Sequence, residues 1–505
     1  MSAPEHLTRS EKIFNGWTNT VSACLGIFSP SAALEFSRGR QALLSYKAAT
    51  RKGPNARWRP SKESADNLIS KDRDLTVARA RDLARNSEYV SGTLKRICDN
   101  VIYKGIFPQA GCRKADKKLD TRKNTRLEKI YKKWAKEVKL SELQELVVRH
   151  LYQDGEILVH THPDPELLEK GVVPLGIELI ETDQLDRMVH GELEGGKYAR
   201  HGIEYSSYGK PLAYHILPVH PGDGSFIRYS GESRRIPAGQ IQHIFKRERA
   251  SQSRGMPWLT PLIMTMHDFE DYQNSERIAA RLMSSFVYFL KRTMGGNGGG
   301  TFPGAMQIGP DGQPIPGGTG VPKYTSPGQI VELPPGFEPE AQQYTRGGEA
   351  YTSFTKGTLK GAAVGAGVSY ETFSNDFTDA SYSSARSGTL LERRGYEVLQ
   401  NFINERFNDP IWEKFISFLR MTGLFSGALD NEVPVTWQNP GWAWIDPLKD
   451  SRATELEIQL GITSRQEACA KQGKDFFEVA DKLEQETERL KEIKLLEADD
   501  VALAA

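Results

Sequence analysis

Apolar side chains recur along this chain in two rhythms, and the rhythm changes near residue 140. Over 72–102, Leu75, Ala78, Leu83, Val90, Leu94, Ile97 and Val101 return at three- and four-residue steps, the period of a helix with one buried face. From 140 to 250 the texture turns to short β-rich runs divided by Gly, Pro and Asp: ILVHTH (157–162), LGIELI (175–180), PLAYHIL (211–217) and QIQHIF (240–245). A mixed α/β region is expected there. Thr260-Pro261 then opens a helical pattern that meets no breaker before Leu290. At 1.5 Å per residue that helix would extend about 46 Å, longer than a small domain is wide.

The second half alternates strong elements with breakers. Residues 295–320 hold eleven Gly and four Pro, so a loop is expected. Short strands are expected around Gly328–Leu333. A second helical run covers 348–367, weakened by Gly357, Gly361, Gly365 and Gly367, and a polar loop follows at Ser369–Ser384. A strong helix then passes through Leu390, Val398, Phe402 and Phe407, with Asp409-Pro410 expected to end it. A shorter helix, Ile411–Thr422, stops at Gly423. The aromatic segment 434–447 precedes helices at 449–460, at 464–472 with a Ser464…Glu467 capping box, and from 475 onward.

Composition narrows the classes. The 505 residues carry 66 Lys+Arg and 65 Asp+Glu, which argues against a static grip on nucleic acid through one large basic surface. The charge is nevertheless uneven. Residues 36–62 hold eight basic groups and no acidic one, and 113–139 hold twelve basic against four acidic. Residues 475–500 reverse this with ten acidic and four basic. The first basic run reads as a flexible arm or a subunit contact, the second as a solvated helix face. Cys24, Cys98, Cys112 and Cys469 are too scattered for a disulfide framework or a zinc site. The N-terminus has no signal-peptide layout and no stretch of about 18 apolar residues occurs, so a soluble protein made in a cytoplasm, without membrane contact, is expected.

Catalytic chemistry finds little support. His160 and His162 share a strand face, but no third metal ligand stands at a telling spacing. Asp164, Glu169 and Lys170 only loosely match a two-metal nuclease pattern, which remains the alternative reading. The glycines at 357–367 lack the Gly-Lys-Ser/Thr of a phosphate loop and fit close helix or subunit contacts better. No Ser-His-Asp elbow or reactive-cysteine setting is present. A non-enzyme without cofactor or catalytic metal is expected, and the long helix would expose too much apolar surface without neighbouring copies.

Specific segments then carry a resemblance. RARDLARNSEYVSGTLKRICDNVIYKGI (79–106), DGEILVH (154–160), LIETDQLD (179–186), GKPLAYHIL (209–217), HPGD (220–223) and RGMPWLTPLIMTMHDFEDY (254–272) are similar to portal proteins of lambda-type tailed bacteriophages. So are LPPGFEPE (333–340), GVSYETFSNDFTDASYSSARSGTLLERR (367–394), DPIWEKFI (409–416), WIDPLKDSRA (444–453) and GITSRQEACAKQGKD (461–475), in the same order. The extended N-terminus and the 295–320 insert depart from the pattern.

The resemblance implies a mixed α+β, mainly helical portal-type fold, assembled as a ring of about twelve subunits at one capsid vertex. It implies a conduit for double-stranded DNA in packaging and ejection. The implied partners are the terminase motor, neck and tail proteins, and the major capsid or scaffold protein. Carried onto this chain, the regions are an N-terminal extension (1–36), a wing (37–258), a stem helix (259–294), a clip (295–346) and a second stem helix (347–368). A tunnel loop (369–384), further wing helices (385–440) and a crown (441–505) complete it. Phe373, Ser374, Asn375, Asp376, Phe377, Thr378 and Asp379 would line the channel, and Arg277, Arg281, Lys291 and Arg292 are candidate phosphate contacts on the stem. Segment 369–384 contains no Lys or Arg, which suits a collar that must not hold a sliding polyanion. A scaffold-type capsid protein, a third reading, predicts shells in place of rings.

Overall fold

The computed structural model describes residues 57, 60–114, 116, 118–223, 232–284, 289–292, 337–340, 348–427, 429–430 and 432–503, with side chains undescribed in 282–292, 337–350 and 492–503. The chain divides into two units, Met1–Ser64 and Ala65–Ala505, and the second carries every element named here. The expectations for the N-terminal extension, the basic arm, the 295–320 insert and the strands at 328–333 lie wholly or almost wholly outside the described residues. Helix accounts for about 57% of the described residues, so the mixed, mainly helical class holds.

The first predicted helix is two. Helix α1 (Ala65–Asn86) and α2 (Glu88–Val101) are separated by Ser87, whose extended backbone (φ −79°, ψ 122°) starts a new helix. Strand β1 (Phe107–Ala110) follows, then α3 (Thr121–Glu137) and α4 (Leu140–Gln153). Asp120 caps α3 by accepting from the Lys123 amide. The basic run 113–139 lies partly on α3, whose inner face buries Leu127, Tyr131 and Trp134 while its lysines face outward.

Two small antiparallel sheets form next. Strand β2 (Glu156–Pro163) leads through a short helix, α5 (Pro165–Glu169), into β3 (Leu175–Ile180). A meander follows: β4 (Gly191–Leu193), β5 (Lys197–Arg200), β6 (Ile203–Tyr205), β7 (Pro211–Ile216) and β8 (Arg234–Pro237), paired in sequence order. Strand β9 (Ile241–Phe245) returns to pair with β2, giving the order β3-β2-β9. Apolar runs of the two sheets meet in one small core of Leu158, Ile180, Ile203, Tyr214, Ile216 and Ile236. Four strands of the meander escape the sequence pattern because they are only three to four residues long, and β4 is exposed at every position.

The long helix is shorter than its pattern. After a 3-10 turn at Thr260–Leu262, α6 runs Ile263–Ser284, and Phe289–Arg292 is strand β10, antiparallel to β11 (Phe337–Glu340). Leu290, the last position of the expected helix, is instead paired with Pro339 in that ladder. The returning helix α7 (Gly348–Ala366) lies against α6: Tyr272 meets Tyr351 at 5.8 Å and Phe354 at 4.8 Å. Gly365 touches Leu262, so the two helices run antiparallel. Among the glycines of α7, Gly365 serves that contact, whereas Gly357 and Gly361 face open space.

Segment 369–384 is not a plain loop. It holds α8 (Tyr370–Ser374) and the start of α9 (Tyr382–Ile403). Asp409-Pro410 does not end the helical path. The chain passes through a π turn at Asn404–Asn408 into α10 (Asp409–Thr422), with Pro410 in the first turn, where a missing N–H disturbs least. A buried amide chain supports the wide turn: Gln144 donates to Asn408 (2.9 Å), Asn408 to Asn404 (2.8 Å) and Asn404 to Asn439 (2.9 Å). Gly423, at φ 66°, caps α10 as expected. Strand β12 (Val435–Gln438) pairs with β1, and α11 (Pro447–Gln459), α12 (Arg465–Lys471) with its capping box, and α13 (Phe476–Leu503) complete the chain.

The main core joins α3 to α10 through Tyr131, Trp134, Trp412 and Phe415, whose ring centroids lie 4.9 to 5.8 Å apart. Trp134 donates to Leu175 O and Trp412 to Val433 O, each at 2.9 Å, so both indoles are satisfied. Among the described residues no helix is long and apolar enough to cross a membrane.

Candidate functional site

The segment between α7 and α9 is built by a sequence of caps. Gly367, at φ 74°, lets the Val368 amide turn back to Ala363 O and closes α7. Ser369 then caps α8 by accepting from the Thr372 amide at 3.1 Å, and Asn375, in the left-handed region at φ 57°, ends it. Phe373 is 4% exposed and stacks on Tyr89 of α2 at 6.1 Å, with Tyr89 edge-on to Phe269 of α6 at 5.8 Å. Its assignment to a channel wall is therefore corrected: Phe373 anchors the segment to the core, and a side chain committed there cannot line a bore. Phe377, by contrast, is 61% exposed.

Arg96 of α2 reaches the same segment, donating to Thr372 O and to Asn375 Oδ1, the latter at 2.9 Å. Asp376 accepts from the Thr378 amide (3.0 Å), the Thr378 hydroxyl (2.6 Å) and the Tyr370 hydroxyl (2.9 Å). The Thr378 hydroxyl and amide and the Tyr370 hydroxyl hold its carboxyl down at about 2, so it is ionised at any working pH. Lys356 of α7 pairs with Asp379 at 2.5 Å and lies 4.0 Å from Asp376. A segment without cations in its own sequence thus receives two from elsewhere, Arg96 and Lys356. Ser374 donates to Tyr370 O and closes the turn of α8. Asn375, Phe377, Thr378 and Asp379 face outward.

On α6, Arg277 is exposed and donates to Asn274 at 2.7 Å, and Arg281 is exposed near the helix end. Lys291 and Arg292 lie on β10, opposite Glu338 and Phe337, so they are strand and not stem-helix positions.

The residues behind the nuclease alternative have structural tasks. Asp164 caps α5 through the Glu166 amide at 3.0 Å, and Lys170 pairs with Glu137 at 3.5 Å. His160 is buried and bonded to Glu178 (3.1 Å), and His162 lies beside it with its Nδ1 on Pro163 O. Among the described residues, Glu181, Asp183 and His220 form one group with the spacing of metal ligands. Arg81 already binds both of its carboxylates, at 3.1 and 2.6 Å, and supplies the positive charge.

Sequence reasoning missed the most heavily buried charges. Glu156 opens β2 with no exposed surface, yet Arg73 (3.0 Å), Arg254 (2.6 Å), His243 (2.9 Å) and the Gly255 amide (2.6 Å) converge on it. Burial alone would raise its carboxyl; Arg254, Arg73 and His243 outweigh that and hold it well below the usual range. The glycines beside this hub explain two of the motifs. A β-carbon on Gly155 (φ 79°) would lie 2.1 Å from Met256 C, and one on Gly255 would lie 2.1 Å from Gly155 O. Asp-Gly-Glu and Arg-Gly-Met therefore meet backbone to backbone. Gly155→Ala is expected to destabilise the protein by about 3 kcal/mol, since backbone cannot yield to the added carbon. A urea unfolding midpoint within about 0.5 kcal/mol of the parent would refute that contact.

A family model described as phage portal protein, lambda family, matches residues 51–400. This chain belongs to the lambda family of phage portal proteins. The family is a structural component of phages, not an enzyme family, consistent with the structural tasks of Asp164, Lys170 and His160. This portal protein is 27% identical over 474 residues to the probable portal protein of Halomonas phage phiHAP-1, covering 89% of this chain and 87% of that relative. It is 21% identical over 459 residues to portal protein B of Escherichia phage lambda, covering 84% and 85%. A chain from the neck of a native gene transfer agent particle, treated with C12 symmetry, aligns with TM-score 0.39 and 13% identity over 80% of this chain and 99% of its own.

Proposed function

We propose that about twelve copies of this portal protein close into a ring at one capsid vertex, and that double-stranded DNA passes through it inward and later outward. Family membership over residues 51–400 carries this reading. The ring would dock the terminase motor, join neck and tail proteins, and sit against major capsid or scaffold protein. It would be made in the host cytoplasm and kept in the virion.

Surface chemistry supports a ring. On α7, Gly357 and Gly361 face open space and Val364 is 82% exposed; on α9, Leu391 is 75% and Val398 66% exposed. Glycine inside a helix costs about 1 kcal/mol relative to alanine, so two outward glycines call for a close neighbour. Two different patches on one subunit suit a head-to-tail contact that closes by rotation. In this reading 37–258 and 385–440 form the wing and α6 and α7 the stem. Residues 295–346 form the clip and 441–505 the crown.

Asn375, Phe377, Thr378 and Asp379 would face the bore. Duplex DNA carries one charge per about 1.7 Å, and a ring multiplies every phosphate contact by its subunit number. Lys356 beside Asp379 is then a neutralised cation, present at the collar but not offered to phosphate. Arg277 and Arg281 are the sparse contacts further along the stem, with Lys291 and Arg292 beyond them. Electron micrographs of the purified chain test the reading: end-on rings of about a dozen subunits are expected. A monomer that cleaves DNA with magnesium would overturn it, and closed shells would favour a scaffold role.

A further inference from the structure

A cavity of about 180 Å³ lies beside α1. Helix α1 supplies Ile69, Ser70, Arg73 and Asp74; Arg187, His201 and Arg254 close the other side. Three guanidinium groups and an imidazole thus face a single carboxylate. Asp74 is bound by Arg187, and Arg254 directs its Nε to Glu156 at 2.7 Å.

Arg73 is the informative group. Its Nε donates to Gly255 O (3.2 Å) and its Nη2 to Asp154 O (3.1 Å) and Thr182 Oγ1 (2.8 Å). Its second terminal nitrogen, Nη1, is buried without a hydrogen-bond partner, on a side chain only 4% exposed. A buried donor on a charged group is costly to leave unsatisfied. His201 sits at the cavity with a left-handed backbone, φ 51°, which histidine adopts more readily than most residues. Burial first, then Arg254, His190, Arg187 and Arg200, make its imidazole harder to protonate, which reports a positive local field.

We propose that this cavity binds a small tetrahedral oxyanion, with inorganic phosphate as its simplest form, among Arg73, Arg187 and His201. The volume suits it: at about 30 Å³ per water, the space holds an oxyanion with part of its hydration shell. Arginine forks match phosphate oxygens in geometry as well as charge. A bound anion would also tie α1 to the meander and to the Arg254-Gly255 segment.

Isothermal titration of the assembled protein with inorganic phosphate, at constant ionic strength, tests this. Saturable binding is expected. Arg187→Gln should weaken it about tenfold, the effect of losing one charge-assisted contact. Ser70→Glu, at an exposed position on α1, should abolish it by setting a carboxylate at the mouth. Circular dichroism of both variants should match the parent, since neither residue is buried. Absence of saturable binding, or equal affinity in the parent and both variants, would overturn the proposal. A short DNA duplex added as competitor separates the sources. Displacement assigns the site to backbone phosphate, its absence to the free ion, and both results stand with an oxyanion site.

Discussion

Glu156→Gln is expected to destabilise the folded chain by about 3–5 kcal/mol, the range for removing one partner from a buried charge cluster. The amide keeps the shape of the side chain but not its charge, so Arg73 and Arg254 are left facing each other without the carboxylate that pairs with both. The measurement is a urea midpoint on purified protein, and a change under about 1 kcal/mol would show that the hub is not electrostatic. Acid should imitate the variant. Glu156 has its folded-state acidity strengthened, so its contribution is complete above its ordinary value of 4.5 and is lost as pH falls below it. His243 is held deprotonated by burial, so below 6.5 the unfolded chain takes up a proton that the folded chain resists. Both effects lower stability as pH falls from 7 toward 4, and the Glu156→Gln variant should lose the part below 4.5.

The second large effect concerns movement of DNA. Replacing Asp376 and Asp379 together by Lys should slow packaging by at least about tenfold at low salt, with partial recovery as salt rises. Each subunit would then present two new cations beside Lys356, which loses its carboxylate partner at 2.5 Å. Around a ring these become a girdle of phosphate contacts that a moving duplex must break continually. Asp376 also organises Thr378 and Tyr370, so charge must be separated from local structure. The single Asp376→Asn variant does that, because the amide oxygen still accepts those bonds while Asp379 keeps Lys356 paired. It should package near the parent rate. Normal packaging by the lysine variant, with rings intact in electron micrographs, would place the segment outside the channel.

Much of the architecture was legible in local pattern. The strand LGIELI, the helix stop at Gly423 and the Ser464–Glu467 capping box stand where period and capping chemistry put them. The misreadings share one cause. Leu290 and Pro410 were judged by their neighbours in sequence, while the outcome at each depends on a partner distant in sequence. Strand β10 exists with β11, and the π turn before Pro410 is supported by Gln144 and Asn439. Phe373 was placed at the channel because the resemblance makes 369–384 the tunnel loop, but its ring stacks on Tyr89. The pairing of Lys356 with Asp379 was invisible because 23 positions separate them.

By itself, the sequence determined the class of the protein: collinear motifs over most of the chain resemble lambda-type portal proteins, and the mainly helical pattern agrees. Tertiary structure alone decided which charges meet and which glycines touch. Glu156 reads as an ordinary strand residue until Arg73 and Arg254, 83 positions before it and 98 after it, are folded onto it. Short-range preference acts through the backbone of a few neighbouring residues, whereas ion pairing and close contact act through space, and the chain must fold before those distances exist.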